Sequence, residues 1–275
     1  MSTRNERGSV TGYLWAELTT ADVDALDRDT AVAVQPIGAV EQHGPHLPLI
    51  TDALVAESVA RAAVETLGPV HNIAAHNMWV LPTLHYGRST EHLGRAGTIA
   101  LSAATLMAVC LDLGASLAAS GIRKLVFVNG HGGQPSLLDV VARDIRHASG
   151  LEVFPVMPSR FGLPDGVVDP DPFGIHGGFV ETSVMSAVAP HLVRPELAVA
   201  DGLALGELYR TRRHLTLEGP VPTAWLIDDV SASGVVGDPA GASAEVGKLV
   251  VEHWSGLLGQ ALVEVAEFAF PPVHR

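Results

Sequence analysis

Between positions 41 and 52 the chain reads Glu41-Gln42-His43-Gly44-Pro45-His46-Leu47-Pro48-Leu49-Ile50-Thr51-Asp52, a loop with acids, histidines and two prolines. In extended backbone, side chains two apart point the same way, so Glu41 and His43 can converge on one point. The prolines stiffen the loop that brings Asp52 back towards them. Two carboxylates and an imidazole form the mixed oxygen and nitrogen donor set favoured by Zn, Mn or Fe. The bland alternative is a polar surface loop holding these groups by chance. Their density straight after an apolar run argues for a metal site.

Two later segments can add to this loop. Asn129-Gly130-His131-Gly132-Gly133 follows the apolar run 124–128 and precedes Pro135, at the start of a helical pattern. Free N–H groups at a helix start can cradle phosphate. The spacing fits neither GxxxxGK[ST] nor GxGxxG, however, and the turn holds no basic residue. An acidic loop nearby would repel phosphate, so the glycines read better as a sharp turn presenting His131 to the first cluster. His176-Gly177-Gly178-Phe179-Val180-Glu181-Thr182-Ser183 offers another imidazole and another carboxylate. They could supply a general acid or base and one more ligand, while capping of the next helix by Thr182 or Ser183 explains the segment equally well.

These segments need a scaffold that ends its strands side by side. Short β-branched runs alternate with longer helical patterns, which predicts an α/β fold with a mostly parallel sheet. Strands are expected at 30–37, 70–74, 80–84, 124–128 and 151–156. Helices are expected at 52–67, 102–120, 135–148, 181–189 and 243–268, the last interrupted near Gly256 and Gly259. The stretch 203–238 is the least regular and leaves room for an antiparallel excursion. No repeat or linker divides the chain, so residues 1–275 read as one domain. The first two donor segments begin just past strand ends, where open α/β sheets bind ligands.

With 30 acidic against 17 basic residues the net charge is −13, which disfavours nucleic acid and anionic membranes as partners. Apolar residues make up 47% and charged residues 17%, as expected of a globular and not a disordered chain. The lone Cys110 lies in an apolar stretch and reads as a buried structural thiol in a reducing compartment. Residues 1–9 are polar, and no run approaches a membrane span, so a cytoplasmic location is expected.

The blocks EQHGPHLPLITD, VFVNGHGG and HGGFVETS, in this order and at these distances, resemble the creatininase family. Weaker similarity at Tyr86-Gly87, Glu91-His92, Gly97-Thr98 and 234–239 extends it over nearly the full length. The resemblance implies a three-layer α/β/α sandwich. It also implies one or two divalent ions per subunit (Zn, Mn or Fe) and a homo-oligomer, commonly a hexamer of paired subunits. Family members open the creatinine ring, deformylate a pyrimidine intermediate, or clip the precursor peptide of the cofactor mycofactocin. An amidohydrolase is therefore implied, cleaving a C–N amide-type bond of a cyclic amide, formamide or similar small substrate through a metal-activated water. Position by position, Glu41, His43, Asp52 and His131 match metal ligands, with Asp52 as the bridge. His176 matches the catalytic histidine, and Glu181 matches a glutamate taken to complete the metal shell. His92, Trp225 and His46 are expected to line a substrate cavity, with ordinary packing as the alternative. Two other functions stand beside this one: a peptidase acting on a short precursor peptide, and a catalytically idle metal- or ligand-binding protein.

The chain also departs from the family pattern. Creatinine-cleaving members carry a tyrosine and a metal-binding glutamate directly after the NGH histidine, where this chain has Gly132 and Gly133. They carry a tryptophan four residues and a glutamate one residue before the catalytic histidine, where Pro172 and Ile175 stand here. Gln134 occupies a position that is asparagine in many members. Creatinine is accordingly not the expected substrate.

Overall fold

The central strands are buried on both sides, and their alternating side chains feed two separate cores. The computed structural model describes residues 13–67, 77–171, 173–217 and 220–271. Strands β1 (Val32–Ile37), β2 (Met78–Val80), β3 (Lys124–Asn129) and β4 (Glu152–Val156) form a parallel sheet in the order β2-β1-β3-β4. The main helices are α1 (Thr51–Thr66), α2 (Ala103–Ala119), α3 (Pro135–Ser149), α4 (Phe179–Val188), α5 (Ala204–Arg210) and α6 (Ala244–Glu267). Val32, Val34, Val126 and Val128 face α1, α4 and α6. Ala33, Ile37, Leu125 and Phe127 face α2 and α3. The expected three-layer α/β/α sandwich is therefore present, with helices on both faces as a parallel sheet requires. Cys110 is fully buried in the second core, and burial pushes its thiol up to about 12.

Sheet register places the chemistry. Val32 lies opposite Lys124, and Ile37 opposite Asn129, so β1 and β3 end level with one another. Helix α1 begins in the crevice past these ends. A Cβ on Gly38 would lie 2.3 Å from Ala53 N, and one on Gly130 would lie 2.2 Å from Asp52 O. Only glycine at both positions lets the first turn of α1 wedge between the two strand ends, and that turn carries Asp52. At the opposite end of the sheet, Lys124 Nζ donates to the carbonyls of Val265 and Phe268, each at 2.8 Å, tying off the last turn of α6.

Three expectations change. The strand expected at 80–84 is regular only over Met78–Val80, because Pro82 has no N–H to give. Pairing resumes beyond it, with Leu84 N donating to Pro36 O at 3.0 Å. Helix α6 runs unbroken through Gly256 and Gly259. Its glycines are contact points rather than breaks, since a Cβ on Gly259 would meet Thr66 Oγ1 at 2.7 Å and one on Gly247 would meet Ser183 O at 1.9 Å. Within 203–238 the chain forms α5, a short helix at Ile227–Val230 and the isolated antiparallel bridges Asp201↔Gly237 and His176↔Val236. The strand expected at 70–74 and Pro172 lie outside the described residues.

Candidate metal centre

The loop after β1 folds back on itself, with Glu41 N donating to Leu49 O at 2.9 Å, and this returns Asp52 to the Glu41–His43 pair. Glu41, His43, Asp52, His131 and His176 are all buried. His43 Nε2 lies 3.0 Å from Asp52 Oδ1, and His131 Nδ1 lies 3.1 Å from Asp52 Oδ2, so one carboxylate spans both imidazoles. Glu41 lies beside the same groups: its Oε2 is 3.4 Å from His131 Nδ1 and its Oε1 is 3.9 Å from His43 Nε2. Glu181 Oε2, from the first turn of α4, stands 4.0 Å from His43 Nε2 and accepts the Gly177 N–H at 2.6 Å.

Backbone carbonyls set the histidine tautomers. His43 Nδ1 faces Glu41 O at 3.1 Å, His131 Nε2 faces Arg88 O at 2.8 Å, and His176 Nε2 faces Gln42 O at 2.6 Å. Each of these nitrogens is the natural N–H donor, which leaves the other nitrogen to point among the carboxylates. His176 Nδ1 is 3.8 Å from Glu41 Oε1. Meanwhile Glu41 Oε2 and Asp52 Oδ2 are buried without a hydrogen-bond partner. Buried oxygens of this kind are costly unless something answers them. Three sets of donor atoms, Glu41 with His43 and His176, Glu41 with Glu91 and His131, and His43 with Asp52 and Glu181, each lie within 4.8 Å of one another and could hold a divalent cation, and anchoring the far ring nitrogen on a carbonyl is the usual arrangement for a ligating histidine.

The charges follow from this packing. Burial works to lower His43, but Asp52, Glu181 and Glu41 outweigh it and hold it at about 10. His131 is likewise raised well above its ordinary value, burial being overcome by Glu41 and Asp52. Asp52 is held below the carboxylate range, its burial outweighed by the two imidazoles. Burial raises Glu181 to about 7. His176 falls well below the ordinary histidine value through burial and the neighbouring His43 and His92.

His176 is sandwiched between His43 (ring centroids 4.1 Å apart) and His92 (4.3 Å). Together with Glu181 it borders a cavity of about 310 Å³, whose wall includes Met157, Leu163, Phe179 and Trp254. Ile175, directly before His176, is also in that wall. Of the three residues expected to line a substrate cavity, His92 is buried against His176 and has Nε2 3.5 Å from Glu41 Oε1. Trp225 meets the His92 ring edge-on at 5.9 Å. None of the three is in the wall of that cavity, and His46 is buried with a hydrogen bond to Thr182 Oγ1 of α4 at 2.8 Å, where it supports the loop. Thr182 is thus engaged by His46, and Ser183 Oγ accepts from Ser243 N at 3.3 Å, so neither caps α4.

Three side chains with no sequence-based role prove central. Gln42 Nε2 reaches His92 Nδ1 at 2.9 Å and Gly234 O at 3.0 Å, fixing the histidine stack. Gln134 donates to Asn129 Oδ1 at 2.9 Å and accepts from Arg88 N at 3.1 Å, joining the glycine turn to the 88–92 segment. Glu91 is mostly buried, with Oε1 3.4 Å from His131 Nε2.

Comparison with known proteins gives a consistent picture. The family model described as creatinine amidohydrolase (Creatininase) matches residues 16–262. The mycofactocin precursor peptide peptidase of Mycobacterium ulcerans (strain Agy99) is 34% identical over 235 residues, covering 85% of each chain. The creatinine amidohydrolase of Pseudomonas putida is 29% identical over 280 residues, covering 93% of this chain and 96% of its own. Among solved structures, a putative creatinine amidohydrolase from Bacteroides fragilis NCTC 9343 superposes with a TM-score of 0.77 at 25% identity, covering 94% of this chain and 97% of its own.

Proposed function

The chain belongs to the creatininase family, and on that premise we propose that it is a metal-dependent amidohydrolase cutting a C–N amide-type bond at the centre described above. One observation carries the reading: three buried histidines, each anchored by its far ring nitrogen on a backbone carbonyl, turn the other nitrogen towards Glu41 and Asp52, whose Oε2 and Oδ2 are buried without a hydrogen bond. Glu41, Asp52 and His131 would hold one ion, and His43, Asp52 and Glu181 a second, with Asp52 shared. Such ions polarise an amide carbonyl and bring the pKa of water down towards 7. His176 borders the cavity with Nε2–H fixed on Gln42 O, so its Nδ1 is the atom that receives a proton and passes it to the departing nitrogen. The choice among Zn, Mn and Fe and the hexamer rest on the family resemblance, and the cytoplasmic location on the sequence composition; elemental analysis, light scattering and fractionation test them in turn.

The substrate follows the cavity. Its wall is largely apolar and its volume of about 310 Å³ lies at the small end of ligand pockets, the size of a small cyclic amide or formamide. A peptidase acting on a short precursor peptide stands as a second reading, on the activity named for the Mycobacterium ulcerans relative. The test is one panel of cyclic ureas, formamides, hydantoins, lactams and short peptides, offered to chelator-stripped protein reloaded with Zn, Mn or Fe. Hydrolysis that returns only with metal supports the proposal. Full activity in rigorously stripped protein, or none on any member with any ion, refutes it.

A further inference from the structure

Gly133 has no side chain, and the space beside it is filled from elsewhere in the chain. A Cβ built on Gly133 would lie 1.8 Å from Glu91 Oε1 and 2.5 Å from His131 Nε2. Glu91 comes from a different part of the chain, a short 3-10 turn at Thr90–His92. Arg88 pins that turn in place, donating from Nη1 to Gly133 O at 3.0 Å and pairing with Glu91 Oε2 at 3.6 Å. Glu91 Oε1 then stands 3.4 Å from His131 Nε2, the nitrogen whose proton also points to Arg88 O. The opposite nitrogen, Nδ1, faces Asp52 and Glu41.

We propose that Glu91 is the positioning carboxylate of the His131 metal position, held in the space that the side-chain-free Gly133 leaves beside the ring. It rests on the metal-hydrolase reading above. Glu91 and Arg88 O share the far side of the His131 ring, so that its rotation is locked and electron density is pushed towards Nδ1. A carboxylate behind a ligating histidine raises ligand basicity, and its loss typically weakens metal binding by roughly 10- to 100-fold. Glu91 faces His131 Nε2, on the far side of the ring from the nitrogen that meets Asp52 and Glu41, so it would set affinity without setting the number of ions bound.

The test uses the full chain, stripped with a chelator and reloaded with Zn(II), with affinity read by competition against a chromophoric chelator and stoichiometry by elemental analysis. Glu91→Gln and Glu91→Ala should bind the same number of ions at saturation, about 10- to 100-fold more weakly. Glu91→Asp should recover much of the loss. Gly133→Ala should weaken binding as well, because the new methyl group meets both the carboxylate and His131 Nε2. Circular dichroism checks that each variant is folded. Unchanged affinity in Glu91→Gln overturns the proposal. So does loss of a whole ion at saturation, which would make Glu91 a ligand. A wild-type protein that takes up no ion overturns the metal reading and this inference with it. That result is distinct from tight wild-type binding matched by Glu91→Gln.

Discussion

Loading the chelator-stripped protein with metal at pH 7 should release at least two protons per chain. The perturbation is the arrival of a cation among groups that otherwise answer their carboxylates by protonation. His43 is held at about 10 and His131 well above its ordinary value, so both carry two ring protons at neutral pH. A ligating imidazole must be neutral. Three pH units separate about 10 from 7, so freeing the His43 nitrogen costs ~4 kcal/mol at 1.36 kcal/mol per unit. Glu181, at about 7, adds a fraction of a proton. The apparent binding constant of each ion should accordingly rise about tenfold per pH unit between roughly 7.5 and 9, one imidazole proton being displaced at each. Titration calorimetry in buffers of different ionisation enthalpy counts the protons directly. Release of fewer than one proton, or an affinity flat across that range, would refute the charge assignment. The same shift governs the stripped protein's stability. A raised histidine stabilises fully below its unfolded value near 6.5, and the contribution is lost as pH climbs through about 10. The melting temperature of stripped protein should therefore fall across that window more steeply than that of loaded protein.

Glu41→Gln and Asp52→Asn should each lose metal by elemental analysis, with the larger loss in Asp52→Asn because its two oxygens serve both histidines. Full occupancy in both contradicts the ligand set. His176→Ala should keep its metal while turnover drops by roughly 10²- to 10⁴-fold, the usual worth of a positioned proton-transfer group. Metal loss there instead would make His176 a ligand. Gly247→Ala should lower stability by about 1–3 kcal/mol, because its Cβ meets Ser183 O in the α4–α6 contact. An unchanged denaturation midpoint would show that the two helices can separate freely.

Legibility in the sequence followed the distance over which each signal acts. Strand β3 and helices α1 to α3 were readable within a residue or two because their apolar spacing is local and uninterrupted. The Glu41–Asp52 donor group was readable because a single loop carries most of it. Gly256 and Gly259 misled because a glycine that breaks a helix and one that lets a neighbour approach look alike in one dimension. Contact with α1 distinguishes them at Gly259. Glu91 was overlooked for a related reason: it lies 42 positions from Gly133, whose missing side chain makes room for it. The glycine at 133 is visible in the sequence, whereas the side chain that fills the space beside it is set by the fold. His46 belonged to the right loop, but its place beside Thr182 depends on how α4 docks.

With Cys110 as its one thiol, the chain has no way to tie itself together covalently. The cluster that draws Glu41, Asp52, His131 and Glu181 to one point joins the β1 loop, the glycine turn after β3 and the start of α4. In the proposed loaded state it would act as a reversible staple, closing long stretches of chain in one knot. Ligand binding stabilises by RT ln(1 + [L]/Kd), so ions at a thousand times their Kd would contribute about 4 kcal/mol. The staple would open in acid or chelator and close again when metal returns. The protein's durability would then track the metal supply around it as directly as its turnover does.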